Sequence, residues 1–321
     1  MEYASKQAGT EATAADSNLS GQQAGGASGG GTAAVAAFPG RLRHLLPQAP
    51  TQKKPGSPYV QRGNTMEKVR SMLVVGDRFS QFGALDGAVT VSRIAAMLDG
   101  QAPASEIPER LLIGQGVSEC WRAYLRNRAE ARGLQLELVD APGTGLRTGR
   151  HFAHKHRRHN ILITDPSQVG VQRYHCHLVV DDECEVMSDH TTGCHLQGML
   201  LIEAARQSFL AVTEWFLLDA KQKYYFVINR LDVSYHRFAF PVGTEIDIAL
   251  RDVDHSRADR VAAEATIRFL QHGECVAEVQ VAYTAIQEGR LLQREEQMAQ
   301  AVLLQSLATV KDGAARAVQA S

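Results

Sequence analysis

One segment constrains the fold of this chain more than any other: the apolar run Met199 to Leu218, MLLIEAARQSFLAVTEWFLL, with strand-like stretches on both sides. A helix that is apolar nearly all round must be buried on most of its sides. Glu203, Arg206, Gln207, Ser208, Thr213 and Glu214 interrupt the run too often for a membrane span. It therefore reads as a core helix, from about Gly198 to Leu218. Around it, ILIT, RYHCHLVV, YYFVINRLDVSYHRF, EIDIALRDV, RVAAEATIRFLQ and ECVAEVQVAYTAI are strand-like, and several alternate apolar and polar residues with period two. An antiparallel sheet curled around one helix satisfies both patterns.

That arrangement is a hotdog fold, so the expected class is α+β, with the hotdog domain over residues 151–287. Residues 1–68 are rich in Ala, Gly, Ser, Gln and Thr and hold too few large apolar side chains to offset chain entropy. They are expected to form a disordered tail, and Met66, just before the first structured signal, is a second candidate start. Over 69–145 the strand-like MLVVG, RLLIG and LQLELVD alternate with the helical VSRIAAML and VSECWRAYLRNRAEAR, which predicts a small α/β unit. Gly133 stands where a helix C-cap glycine belongs. Residues 288–321 read as a C-terminal helix with a fraying end.

A formal charge of -1 argues against a mainly electrostatic nucleic-acid binder. The 5 cysteines are odd in number, scattered, and without a C-x-x-C pair, which suits a reducing compartment. The first residues lack a basic stretch followed by an apolar one. The expected setting is cytoplasmic, with neither membrane nor nucleic acid as partner.

Chemistry is concentrated in the stretch Ser188 to Leu218. Gly198 opens the helix and lets a ligand approach the backbone, and the free N–H groups there suit a thioester carbonyl or a phosphate. Glu203, Arg206 and Gln207 fall at i, i+3 and i+4, on one helical face. His190, on the incoming loop, is placed to reach back toward Glu203, and a carboxylate with an imidazole makes a workable acid/base pair. The alternative is a Glu203–Arg206 ion pair that only neutralises itself.

The run DHTTGCHLQGMLLIEAARQ resembles the A-factor biosynthesis (AfsA-type) hotdog family and, more distantly, the helix of hotdog acyl-carrier-protein dehydratases and thioesterases. AHKHRRHNILITD is similar to the opening of AfsA-type domains. The resemblance covers about His151 to Gln287. It implies an acyltransferase that moves a β-ketoacyl group from acyl carrier protein, or an acyl-CoA thioester, to the hydroxyl of a phosphorylated small acceptor such as dihydroxyacetone phosphate. It further implies Glu203 and Arg206 as the catalytic pair; to these the reading of the residues themselves adds His190, with Gly198, Met199, Gln207 and His195 as substrate-binding candidates. No cofactor or metal is called for. Burial in the apolar helix is expected to raise the pKa of Glu203 so that it serves as base. Family members carry two hotdog repeats, whereas this chain shows one helix motif, which predicts a homodimer. On the same scaffold, a 3-hydroxyacyl dehydratase, a thioesterase and a non-catalytic acyl-binding module are the alternatives.

Two further motifs read as structural. His151, His154, His156 and His159 lie close together without metal-ligand spacing, and suit a solvated or carrier-facing basic loop. LLIGQGVSEC places G-x-G between a strand and a helix, but Glu119 stands at the third glycine of a dinucleotide fingerprint, so a plain βα turn is expected.

Overall fold

The computed structural model of the chain describes residues 70–141, 143–188 and 191–319, all within one unit, Thr65–Ser321. The expected tail over residues 1–68, with Met66, lies outside the described residues, as does His190.

Four short strands, β1 Ser71–Val75, β2 Ala88–Thr90, β3 Arg110–Ile113 and β4 Glu137–Asp140, form a parallel sheet in the order β2-β1-β3-β4. Helices α1, Val91–Ala96, and α2, Glu119–Ala131, pack with it around Val74, Ile94, Leu111, Ile113 and Leu125. Val75 belongs instead to the larger core, and Leu73 packs against that core. Cover on both faces accounts for the unbroken apolar runs of β1 and β3. Ser118 caps α2 by accepting from the Trp121 N–H, and Gly133 follows the helix at φ 65°.

The second sheet is antiparallel and six-stranded. Its strands are β5 Ser167–Gly170, β6 Arg173–His177, β7 Tyr224–Tyr235, β8 Glu245–Arg257, β9 Arg260–Gln271 and β10 Glu274–Gln287, in the order β5-β6-β8-β9-β10-β7. Helix α3, Gly198–Phe216, packs its Leu200, Ala204, Phe209 and Leu210 into one core with Ile248, Ile267, Phe269, Val279 and Tyr283 of the sheet. This is the hotdog fold. Helix α4, Glu288–Gln319, follows β10 directly.

Two local expectations need correction, and one strand was not anticipated. Residues 161–164 are not a strand: Ile163 and Thr164 make only isolated bridges, to Leu178 and Arg147. Ile161, Leu162 and Ile163 are all buried, but part of their backbone bonding goes to a side chain, since the Leu162 N–H donates to Gln207 Oε1 at 2.8 Å. The exposed hairpin strand β5 had no apolar signal to announce it. Finally, α3 is not buried all round. Met199 and Trp215 are exposed, and Glu203, Arg206 and Glu214 between them are only partly covered.

The two sheets are joined by polar side chains. Gln115, 2% exposed, donates to the Leu178 carbonyl at 2.9 Å and accepts from the Val180 N–H at 2.7 Å. A buried amide with both ends satisfied ties the end of β3 to the hotdog strands at little net cost.

Candidate functional site

The partly covered face of α3 carries a polar cluster. Glu203 Oε1 lies 2.8 Å from Lys155 Nζ and accepts from Arg206 Nη2 and Gln207 Nε2, each at 2.9 Å. Glu203 Oε2 accepts from Arg206 Nε at 2.9 Å. The i, i+3, i+4 spacing thus does what a helix surface allows, and a bidentate Arg–carboxylate fork results. Gln207 is wholly buried; it accepts from the Leu162 N–H and donates, besides to Glu203, to the Asn160 carbonyl at 2.8 Å. It fastens the segment after the histidine-rich joint onto α3.

The electrostatics reverse one expectation. Burial does push the Glu203 carboxyl up, but Arg206, Lys155 and Gln207 outweigh it and hold the group at about 2. Glu203 is therefore an anion at neutral pH and a poor proton acceptor as it stands. The apolar helix alone would have raised its pKa; the Arg206 pair was the alternative reading, and the Lys155 contact was not foreseen.

The histidine-rich joint lies along the same face. His154 Nε2 is 2.6 Å from Glu214 Oε1, and His151 Nε2 is 3.3 Å from Oε2. Residues 151–155 therefore cover the polar stripe of α3, with Lys155 on Glu203 and the two histidines on Glu214, one acidic residue three turns on. Lys155, Asn160 and Glu214 were missing from the sequence reading. No local signal marked Lys155, which is one of several cations in HKHRRH and remote in sequence from Glu203.

The other candidates gather elsewhere. His195, Gly198 and Met199 line a cavity of about 1070 Å³ at the start of α3, walled by Leu201, Tyr235 and Phe238. Gly198 lets Tyr235 pack closely there, since a Cβ would lie 2.7 Å from the Tyr235 hydroxyl. The His195 ring sits 4.7 Å from that of Phe238, and its Nδ1 is 3.0 Å from Thr192 Oγ1. Glu203, Arg206 and Gln207 do not line this cavity. The sequence-predicted residues therefore fall into two groups on one helix: an apolar chamber at its N-terminus and an ionic cluster one turn further along. Among the described residues, no group of three or more His, Cys, Asp or Glu is arranged to hold a metal ion.

A family model described as AfsA, A-factor biosynthesis hotdog domain, matches residues 139–287. No curated protein matches the chain. Among solved structures, the ApeI:P dehydratase heterocomplex of Xenorhabdus doucetiae is similar at 18% identity, covering 47% of this chain and 97% of that one, with a TM-score of 0.35. A putative thioesterase, a phenylacetic acid degradation-related protein from Ralstonia eutropha JMP134, is similar at 15% identity, over 37% and 82%, with a TM-score of 0.29. For the putative thioesterase yhdA of Lactococcus lactis the values are 11% identity, 40%, 94% and 0.30.

Proposed function

Residues 139–287 belong to the A-factor biosynthesis (AfsA) hotdog family, and from that premise we propose that the chain transfers a β-ketoacyl group from an acyl-carrier-protein or acyl-CoA thioester to the hydroxyl of a phosphorylated small acceptor. The observation that carries this reading is the ionic cluster of Lys155, Glu203, Arg206 and Gln207 one turn from an apolar chamber. The acyl chain occupies the chamber, with its thioester carbonyl toward the N–H groups that open α3. The acceptor's phosphate engages Arg206 and Lys155, both partly exposed.

In this scheme Glu203 is held in reserve. When the phosphate draws hydrogen bonds away from Glu203, burial reasserts itself and the carboxylate becomes basic enough to accept the attacking hydroxyl's proton. His190 and His195 precede α3 in the sequence and are assigned to positioning the thioester. A second copy of the chain completes the chamber through the open edge of β7.

Purified protein incubated with β-ketoacyl carrier protein should release the carrier thiol only when dihydroxyacetone phosphate is added, with the phosphate ester appearing by mass spectrometry. Thioester loss that is independent of the acceptor, with free acid or enoyl product, would instead assign the site to hydrolysis or dehydration.

A further inference from the structure

A second cavity, of about 890 Å³, lies outside the hotdog chamber, between α1 and α2, and is completed by residues of the hotdog loops. That size suits a ligand of a few rings. The strand order β2-β1-β3-β4 reverses direction between β1 and β3. Open parallel sheets bind ligands at such a reversal, beyond the carboxyl ends of the strands.

The crevice between the strand ends is itself filled. A Cβ on Gly76 would lie 2.1 Å from Asp182 Oδ1, and one on Gly116 2.7 Å from the same atom. The Asp77 N–H donates to Asp182 Oδ2 at 2.7 Å. A pyrophosphate therefore has no room on these turns, and the open space runs beside them, along the first turns of α2.

Three buried polar atoms of that lining have no hydrogen-bond partner among the described residues: Arg147 Nε, His159 Nε2 and Asp182 Oδ1. The Arg147 side chain is only 9% exposed and otherwise held by Asp181 at 2.9 Å. Unpaired buried groups of this kind are costly to leave unsatisfied, and three along one cavity mark its wall as polar. Part of the acidic lining is already paired: Asp181 with Arg147 and Asp99 with Arg128, while Glu183 lies 3.7 Å from His159 and Arg122 beside Glu119 is held by Asp140. Arg158 makes no ion pair among the described residues, so its charge is free for an anion. Trp121, half-buried in the wall and 5.7 Å from the Tyr124 ring, offers an aromatic surface.

We propose that this cavity binds a nucleoside monophosphate, with its phosphate on Arg158, Arg147 and the first N–H groups of α2 and its base against Trp121. A dinucleotide is excluded by Asp182. The site is independent of the acyl chemistry assigned to α3.

Calorimetric titration of the full chain with AMP, adenosine, inorganic phosphate and NAD tests the assignment. AMP should bind saturably, and more tightly than adenosine or phosphate. Arg158→Ala, an exposed substitution that leaves the fold intact, should weaken AMP about tenfold without changing adenosine, the loss of one charge-assisted contact. Trp121→Ala should weaken both, and Glu203→Gln neither. The proposal is overturned by absence of saturable AMP binding, by AMP binding insensitive to Arg158→Ala and Trp121→Ala, or by NAD binding at least as well as AMP.

Discussion

Glu203 and Asp182 are both partly buried carboxylates, and their surroundings push them in opposite directions. Glu203, held at about 2 against an ordinary 4.5, adds stability that is fully present above pH 4.5 and is lost as pH falls toward 2. The shift corresponds to about 3 kcal/mol, an upper figure because Glu203 and Arg206 keep some contact with solvent, which screens the pair. Denaturant melts of the native chain and Glu203→Gln should therefore diverge most above pH 5 and converge near pH 2. Asp182 goes the other way. Burial raises its carboxyl to about 6, so the stability it contributes is complete below its ordinary 3.8 and is lost as pH rises through 6. Asp182→Asn is expected to abolish that loss, read as a flatter stability profile between pH 4 and 7. On activity, Lys155→Met should raise the acceptor's KM more than it lowers kcat, since it removes a phosphate contact and not the proposed base.

At the scale of elements, α3 works as a spine with differing faces. Its apolar side is packed against the sheet, and its polar stripe is covered by residues 151–155 through Glu203 and Glu214. Gln207 is the rivet, and replacing it by Leu would strand the Leu162 N–H and the Asn160 carbonyl in the interior. A cost of about 2–4 kcal/mol is expected from two buried groups left unpaired, measurable as a lower denaturation midpoint. Gly198→Ala should behave differently. The Cβ meets the end of the Tyr235 side chain, which is half exposed and can swing aside, so stability should fall by less than about 1 kcal/mol. Turnover of the acyl substrate should fall more, because the Tyr235 ring walls the chamber.

For the whole molecule, the telling feature is an unfinished edge. β7 pairs only with β10, and Tyr225, Val227, Ile228, Leu231 and Tyr235 along it are exposed. Native proteins seldom leave a twelve-residue apolar strand open to solvent. A second copy joined edge to edge would cover it and bring a partner to the chamber that Tyr235 walls. Val227→Lys should therefore yield a folded monomer by light scattering, with acyl transfer lost. A native chain that is monomeric at micromolar concentration would remove the basis of this reading. The small parallel sheet contributes to the same body: one face is closed by α1 and α2, and the other feeds Val75 and Phe79 into the hotdog core.

Periodicity made the architecture readable from the chain alone. Period-two runs announced β7 to β10, the apolar run with its glycine start announced α3, and strand–helix alternation announced the parallel sheet; in each case the pattern is set by burial of one face or both. The triad Glu203, Arg206 and Gln207 was equally legible, since helical spacing is local. What only the tertiary structure decided was everything that depends on distant segments meeting. Lys155 is remote in sequence from Glu203, yet its ammonium helps turn an expected base into a fixed anion. Asp182 lies more than 100 residues from Gly76, yet it fills the crevice that the glycine turns left open. Local pattern reports which face a side chain is on; the charge it carries is set by whichever groups the fold brings within a few ångströms.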